Sequence, residues 1–270
     1  MSETRCALLP HRGVVTIGGI DRVKFLQGLV SNDVRRATAD HSVYAALLTP
    51  QGKFLHDMFI LADADTLWLD IEGARAPDLV ARLSKYKLRS AVTIADMSTD
   101  YGVAVCPSKP DFNRAAPDPR HGGLGWRVIA QRADLPAQND TAFVSYDRKR
   151  LSFGIADGSR DLVVGDSLLL EGNFDQLNGV DFTKGCYMGQ ELTARTHYRT
   201  LIKKRLMPVK ATESSCPPAG TLLYVDGKEV GTMRSSQGEL GIALLQTELA
   251  ENRILIMGGA ESLTAGKLPT

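Results

Sequence analysis

The chain has 270 residues, 43% of them hydrophobic and 23% charged, with a formal net charge of +1. That composition suits one large core or two to three small ones, and a balance so near neutrality gives no global field toward nucleic acid or a membrane surface. No stretch approaches the ~18 consecutive apolar residues of a membrane helix, and no apolar run near the start resembles a signal-peptide core, so the expected compartment is the cytoplasm, or the mitochondrial matrix in a eukaryote.

Residues 7–9 and 14–17 read as two short strands, and Asp21 as the cap of a helix carrying Val23, Phe25, Leu26 and Leu29. Residues 42–72 read as a strand meander, with one turn at Thr49, Pro50, Gln51 and Gly52 and another at 62–65. Ala76, Pro77 and Asp78 open a helix reaching about Leu88, with Leu79, Val80, Leu83 and Tyr86 along one side. Strands resume at 92–94 and 103–105. Residues 107–122 are rich in Pro, Asp, Asn, Arg and Gly, which predicts an exposed loop. A strand at 125–130 and a helix over 140–150 follow. After residue 205, short strands alternate with glycine turns, and Asp226-Gly227 is a hairpin signal. Pattern alone gives an α+β chain with a small all-β C-terminal module.

The four cysteines, Cys6, Cys106, Cys186 and Cys216, are scattered, with no Cys-x-x-Cys pair. Zinc and cluster sites usually show local pairing, so no resident metal is expected. Nor is a disulfide framework expected in a reducing compartment. Cys186 sits between Gly185 and Tyr187, with Lys184 before it and Arg195 after it. A thiol acts chemically as thiolate, which nearby cations and a helix N-terminus favour. Gln190 and Glu191 early, with Arg195 and Arg199 late, predict a helix from about Tyr187. The plainer readings are a structural cysteine in a tight turn and a surface Glu191–Arg195 ion pair.

Several carboxylates stand out. Glu171 ends the run Asp-Ser-Leu-Leu-Leu-Glu and reads as a strand end. A carboxylate there can accept two parallel N–H bonds from an aminopyrimidine edge, the shape of a pterin. Asp57 follows His56 in the meander. Asp70 and Glu72 face a cavity if Leu69 and Ile71 face the core, and Trp68 is either core or a stacking wall. Asn32 and Asp33 read as turn residues with a possible ligand role. Lys203, Lys204 and Arg205 read as a solvated basic face, not a nucleic-acid patch.

Lys184-Gly185-Cys186-Tyr187, followed by Gly189-Gln190-Glu191 and Ala194-Arg195, resembles the fingerprint of the YgfZ family. These are folate-binding proteins of iron–sulfur cluster maturation, related to the T-protein (aminomethyltransferase) of the glycine cleavage system. Residues 25–33, 49–53, 231–236 and 241–244 resemble further family segments in the same order, so the resemblance covers nearly the whole chain. It implies an α+β, three-domain clover-leaf around a central folate cavity, with a C-terminal β-barrel. The implied domains are 1–45 plus 145–204, then 46–144, then the barrel at 205–270. It implies tetrahydrofolate held by Glu171, Asp57, Trp68, Asp70, Glu72, Tyr187 and Arg195, with Cys186, Lys184 and Asp57 as the catalytic group. His56-Asp57 stands where the T-protein carries an acidic pair, so only Asp57 matches.

The function implied is a tetrahydrofolate-binding accessory factor in assembly or repair of iron–sulfur clusters, with Cys186 as its functional thiol. Its expected partners are folate and an iron–sulfur carrier or client iron–sulfur enzymes met transiently, with no nucleic acid and no membrane, and the chain is expected to be a monomer. Two alternatives stay open: a folate-dependent aminomethyl- or methyltransferase of the T-protein type, and a non-enzymatic scaffold for an iron–sulfur carrier.

Overall fold

The computed structural model describes residues 6–199, 202–212, 215–250, 254–256 and 262–266. β1 (Ala7–Leu8) and β2 (Arg12–Gly18) lead into α1 (Arg22–Gln27), and β3 (Val43–Leu48), β4 (Phe54–Ala62) and β5 (Thr66–Glu72) form the expected meander. α2 (Ala76–Lys87), β6 (Thr93–Asp96), β7 (Tyr101–Cys106), β8 (Ala115–Pro117), β9 (Trp126–Gln131) and α3 (Asp140–Ser152) follow. A turn-rich passage then reaches α4 (Gln190–Tyr198), β10 (Lys204–Ala211), β11 (Leu222–Val225), β12 (Lys228–Gln237) and β13 (Leu240–Gln246). The single-turn α5 (Thr247–Ala250), β14 (Ile254–Ile256) and β15 (Ser262–Ala265) complete the described elements.

Antiparallel pairing sorts the strands into a five-stranded sheet in the order β3-β4-β5-β2-β6, a four-stranded sheet in the order β1-β7-β9-β8, and a closed barrel, β10-β13-β12-β11-β14-β15. Closure leaves the barrel without the unpaired edges that invite aggregation. Leu223, Val230, Met233, Leu245 and Leu255 fill its interior. In the five-stranded sheet the side-chain period of two decides what each face buries. Leu67, Leu69 and Ile71 of β5 pack with Phe25 and Leu26 of α1 and with Leu79 and Leu83 of α2. Trp68 belongs to the core on the opposite face, with Tyr44, Phe59 and Phe174. α2 forms for local reasons: Pro77 in its first turn, Asp78 beside it, Lys85 and Lys87 in the last turn, and Ala76, Leu79 and Leu83 on one buried stripe.

Helix α3 joins the body to the barrel. Arg150, fully buried, donates to Asp147 at 2.6 Å, Asp161 at 2.9 Å and the Ser235 hydroxyl of β12 at 2.8 Å. The Ser235 N–H donates back to Asp161 at 2.9 Å.

β3 spans position 45/46 and pairs with β4 from Val43↔Ile60 to Leu48↔Phe54, with a register shift between Leu47 and Leu48. Three expectations are corrected. Residues 107–122 are not simply an exposed loop: β8 pairs with β9, and Asp118 and Arg120 are buried. Their composition reads as polar, but the two side chains neutralise one another inside. α1 ends at Gln27, so Leu29 packs from just beyond the helix. Finally, Cys6 and Cys106 form a disulfide. The β1–β7 register, Ala7↔Val105 and Leu8↔Ala104, brings the preceding Cys6 beside Cys106. A pairing set by strand register across the sequence leaves no local Cys spacing to read.

Candidate functional site

Two constellations on the inner side of the fold hold most of the chemistry. The first is a buried charge cluster between the two open sheets. Arg12 of β2 donates to Asp70 of β5 at 2.7 Å and reaches Asp57 of β4 at 3.4 Å. Arg127 of β9 closes on the other Asp70 oxygen through both Nε, at 2.8 Å, and Nη2, at 2.5 Å. Arg120 grips Asp118 in a fork at 3.0 and 2.8 Å and donates to the Tyr146 hydroxyl at 3.0 Å. The guanidinium of Arg127 lies 3.8 Å from the centre of the Phe59 ring, and that of Arg120 4.6 Å. All six charged groups are buried. Against the opposing pull of burial, Arg12 is held firmly protonated by Asp70, Asp57 and Asp157, the last 3.9 Å away. Burial pushes the Asp57 carboxyl up despite Arg12, and its Oδ2 has no hydrogen-bond partner. Asp118 stays below its ordinary value, since Arg120 outweighs the opposing effect of burial.

The second constellation is the loop before α4. Gly185 and Gly189 take φ of +96° and +79°, values open to glycine at little cost, and they bracket Cys186, Tyr187 and Met188. A Cβ on Gly189 would clash with the Thr49 carbonyl, and one on Gly52 would lie 2.8 Å from the Gly189 carbonyl. The loop therefore rests directly on the β3–β4 turn. Lys184 pins its start. The ammonium donates to the carbonyls of Gln27 at 2.7 Å and Val30 at 2.5 Å, at the C-terminal end of α1, where the helix dipole favours a cation. Burial brings Lys184 down to about 8. The Met188 N–H donates to Gly28 at 3.1 Å, and the Tyr187 N–H to the Gln190 side chain at 3.0 Å. Tyr187 is buried, and burial pushes its hydroxyl up to about 12. Cys186 is exposed and free. Cys216, the other free cysteine, is buried in the barrel, where desolvation raises its thiol. Cys186 is thus the one exposed free thiol among the described residues.

Of the residues expected to hold folate, Asp57, Asp70 and Glu72 come together around Arg12 and Gly158, and the others have separate partners. Glu171 lies in a run of turns, not at a strand end; its carboxylate accepts from Leu168 N–H at 3.1 Å and its carbonyl from Leu206 N–H at 2.8 Å. Both oxygens of Asp70 are taken by arginines, and those of Glu72 face Ser159, with its hydroxyl at 2.6 Å and its N–H at 3.2 Å. The Trp68 indole donates to Asp63 at 2.7 Å beneath the Arg114 guanidinium. Arg195 is exposed on α4, without an ion pair to Glu191 among the described residues. The alternation expected of β5 does hold, but the acids it turns inward meet protein partners and present no open carboxylate edge. Asp57 keeps one buried oxygen without a partner, but its other oxygen is held by Arg12, so it cannot take the two parallel N–H bonds of a pterin edge, and as a set these residues do not fit one. Lys184, expected to attend Cys186, is committed to the end of α1, and α4 begins at Gln190, later than Tyr187. Asn32 lines a cavity of 590 Å³ beside Asn178 and Asp181. Arg12, Arg120, Arg127 and Tyr146 were not anticipated. Only the inward alternation of Arg12 with Val14 could have flagged one of them.

Residues 203–269 match the family described as the C-terminal β-barrel domain of CAF17. The aminomethyltransferase T of the glycine cleavage system of Bartonella henselae superposes with a TM-score of 0.77 over 98% of this chain and 85% of its own, at 14% identity. That likeness shows the fold: the aminomethyltransferase architecture with a C-terminal barrel. The mitochondrial iron–sulfur cluster assembly factor IBA57 homolog of Mycosarcoma maydis is 40% identical over 83% of this chain, which spans 62% of that relative's length. The mitochondrial IBA57 of Homo sapiens is 32% identical over 98% of this chain and 84% of its own. The resemblance read from Lys184 to Arg195 is narrowed by these relatives, and the chain belongs to the IBA57 family of iron–sulfur cluster assembly factors.

Proposed function

We propose that this protein is an iron–sulfur cluster assembly factor that acts through the Cys186 thiol, with the cluster as cargo and an iron–sulfur carrier or client enzyme as its transient partner. The carrying observation is an exposed free cysteine on a loop fixed at both ends, by Lys184 on α1 and by Gly189 on the β3–β4 turn. A fixed loop holds the sulfur at one place and direction, which a ligand to another protein's cluster requires. Among the described residues no three His, Cys, Asp or Glu side chains lie together as a metal site, so Cys186 would supply one ligand and the partner the others. The relatives' mitochondrial location supports a mitochondrial compartment for a eukaryotic chain.

Tetrahydrofolate has no step in this function. The aminomethyltransferase fold invites it, but Asp70 and Glu72 are bonded within the protein and Asp57 keeps only a single unpartnered oxygen. Titration calorimetry with tetrahydrofolate should give no saturable heat; saturable binding lost in Glu171→Ala would restore the folate reading. In cells lacking the protein, Cys186→Ser should fold normally and fail to restore iron–sulfur enzyme activity. Full restoration by that variant would leave a scaffold that needs no thiol.

A further inference from the structure

The surface beside the Cys186 loop carries a feature that the fold itself does not use. A groove of 830 Å³ runs between α1 and the end of α2. Phe25 and Leu29 form its floor, Tyr86 and Leu88 one wall, and Lys24 and Arg89 its rim. Leu88 is 88% exposed, and its φ is +42° with ψ of −110°. The Ser90 N–H donates to the Lys87 carbonyl at 2.8 Å, which closes a turn with Leu88 at the position that ordinarily takes glycine. A leucine there bears backbone strain and gains no burial within this chain, so its apolar side chain contributes nothing to folding that glycine would not. The apolar surface it adds faces outward, over a groove.

Cations outnumber acids around that groove. Lys24 and Arg89 line it, Lys85 and Lys87 follow on the last turn of α2, and none of the four forms an ion pair among the described residues. Asp21, the acid on its wall, has its carboxylate on the Ala91 N–H at 2.8 Å. α1 joins the groove to the thiol. Lys24 and Phe25 line the groove, while Gln27 and Gly28, a turn further on, carry the contacts to Lys184 and Met188.

We propose that this groove is the docking surface for an acidic segment with an apolar face on the iron–sulfur partner, and that it seats the partner beside Cys186. The inference rests on the reading of Cys186 as the functional thiol. Leucines on the partner's face would cover Leu88, Tyr86 and Phe25, and its carboxylates would meet the unpaired lysines and Arg89. Opposite charge would set the encounter rate and orientation, and Leu88 would act as the anchor.

The test uses the full chain and a fluorescent helical peptide with one leucine face and glutamates elsewhere, compared with its lysine counterpart. The glutamate peptide should bind, weaken as salt rises, and exceed the lysine peptide by roughly tenfold or more. Leu88→Gly and the double variant Lys24→Glu/Arg89→Glu should each weaken it by about tenfold. Leu88→Gly should also raise the melting temperature, so its lost binding is not lost folding. Equal binding of the two peptides, no binding of either, or full binding by both variants overturns the groove. Cys186→Ser should bind the peptide normally while failing in cells. If instead Cys186→Ser supports iron–sulfur enzymes and the groove variants do not, the thiol reading fails and the docking surface stands.

Discussion

Asp57 and Asp70 lie on one sheet face, both buried, yet they should respond differently to the same change. Asp70 is shared by Arg12 and Arg127, so Asp70→Ala takes the closest carboxylate from two buried guanidiniums and leaves them carboxylate contacts no closer than 3.4 Å, to Asp57 and Asp118. It should cost about 3–5 kcal/mol in urea unfolding, the range for breaking a buried ion pair from one side. Asp57 makes one long contact, has an unpartnered oxygen, and is pushed toward its neutral form by burial. Asp57→Asn should stay within about 1 kcal/mol of the parent, and a loss as large as that of Asp70→Ala would show that Asp57 is a true partner of Arg12. Lys184 gives a pH signature. Its folded value of about 8 lies below the ordinary 10.5, so between them the unfolded chain binds more protons. Stability should therefore rise as pH climbs from 8 to 10.5, and stay flat in this respect below 8. Lys184→Met should lose that rise in denaturant titrations at stepped pH, and an identical rise in both proteins would remove the assignment. The sequence displayed Asp57, Asp70, Glu72 and Lys184 as chemically notable. It could not display what each one meets, because Arg127 and Gln27 approach from distant strands and helices.

At the scale of elements, local patterns were legible where local physics decides. Pro77 and the Ala76, Leu79, Leu83 stripe fixed α2, and Asp226-Gly227 fixed the β11–β12 hairpin. Segments whose partners are remote were not. Residues 107–122 read as loop because Asp118 and Arg120 look hydrophilic until Arg127, Tyr146 and Phe59 surround them. Cys6 and Cys106 read as unrelated for the same reason. Their bridge closes a separation of 100 residues and ties the two-residue β1 to β7. Reduction should destabilise the protein by about 2–4 kcal/mol, and Cys6→Ser should show the same loss without reductant. A melting temperature indifferent to both would mean that the pairing of β1 with β7 stands without the bridge.

Across the whole molecule, the barrel is held to the body by several polar anchors, among them Arg205 on Asp175, Arg148 on Glu239 and, fully buried, Arg150. Arg150→Ala would take the cation from Asp161 and release the Ser235 hydroxyl, while Asp147 keeps Arg160. Scanning calorimetry of that variant should resolve two transitions, the barrel melting apart from the open sheets, where the parent shows one. A single transition at lower temperature would place the cooperativity in the apolar contacts instead. The clover-leaf architecture and its terminal barrel were legible through resemblance, since the motifs recur in order along the chain. The folate grip that came with that resemblance was not legible either way from sequence, because Arg12 and Arg127 take both oxygens of Asp70 and Ser159 takes those of Glu72.

The Lys184 contacts also set when the thiol becomes usable. They join residues 157 and 154 positions apart, so the loop has nothing to rest on until the chain from α1 to α4 has been synthesised and folded back. Contacts of such long range form late and slowly. A nascent or truncated polypeptide that already contains Cys186 holds the sulfur in no particular place. Presentation of the thiol is then a certificate of completed folding, and a partner that engages it selects finished molecules over those still in the making.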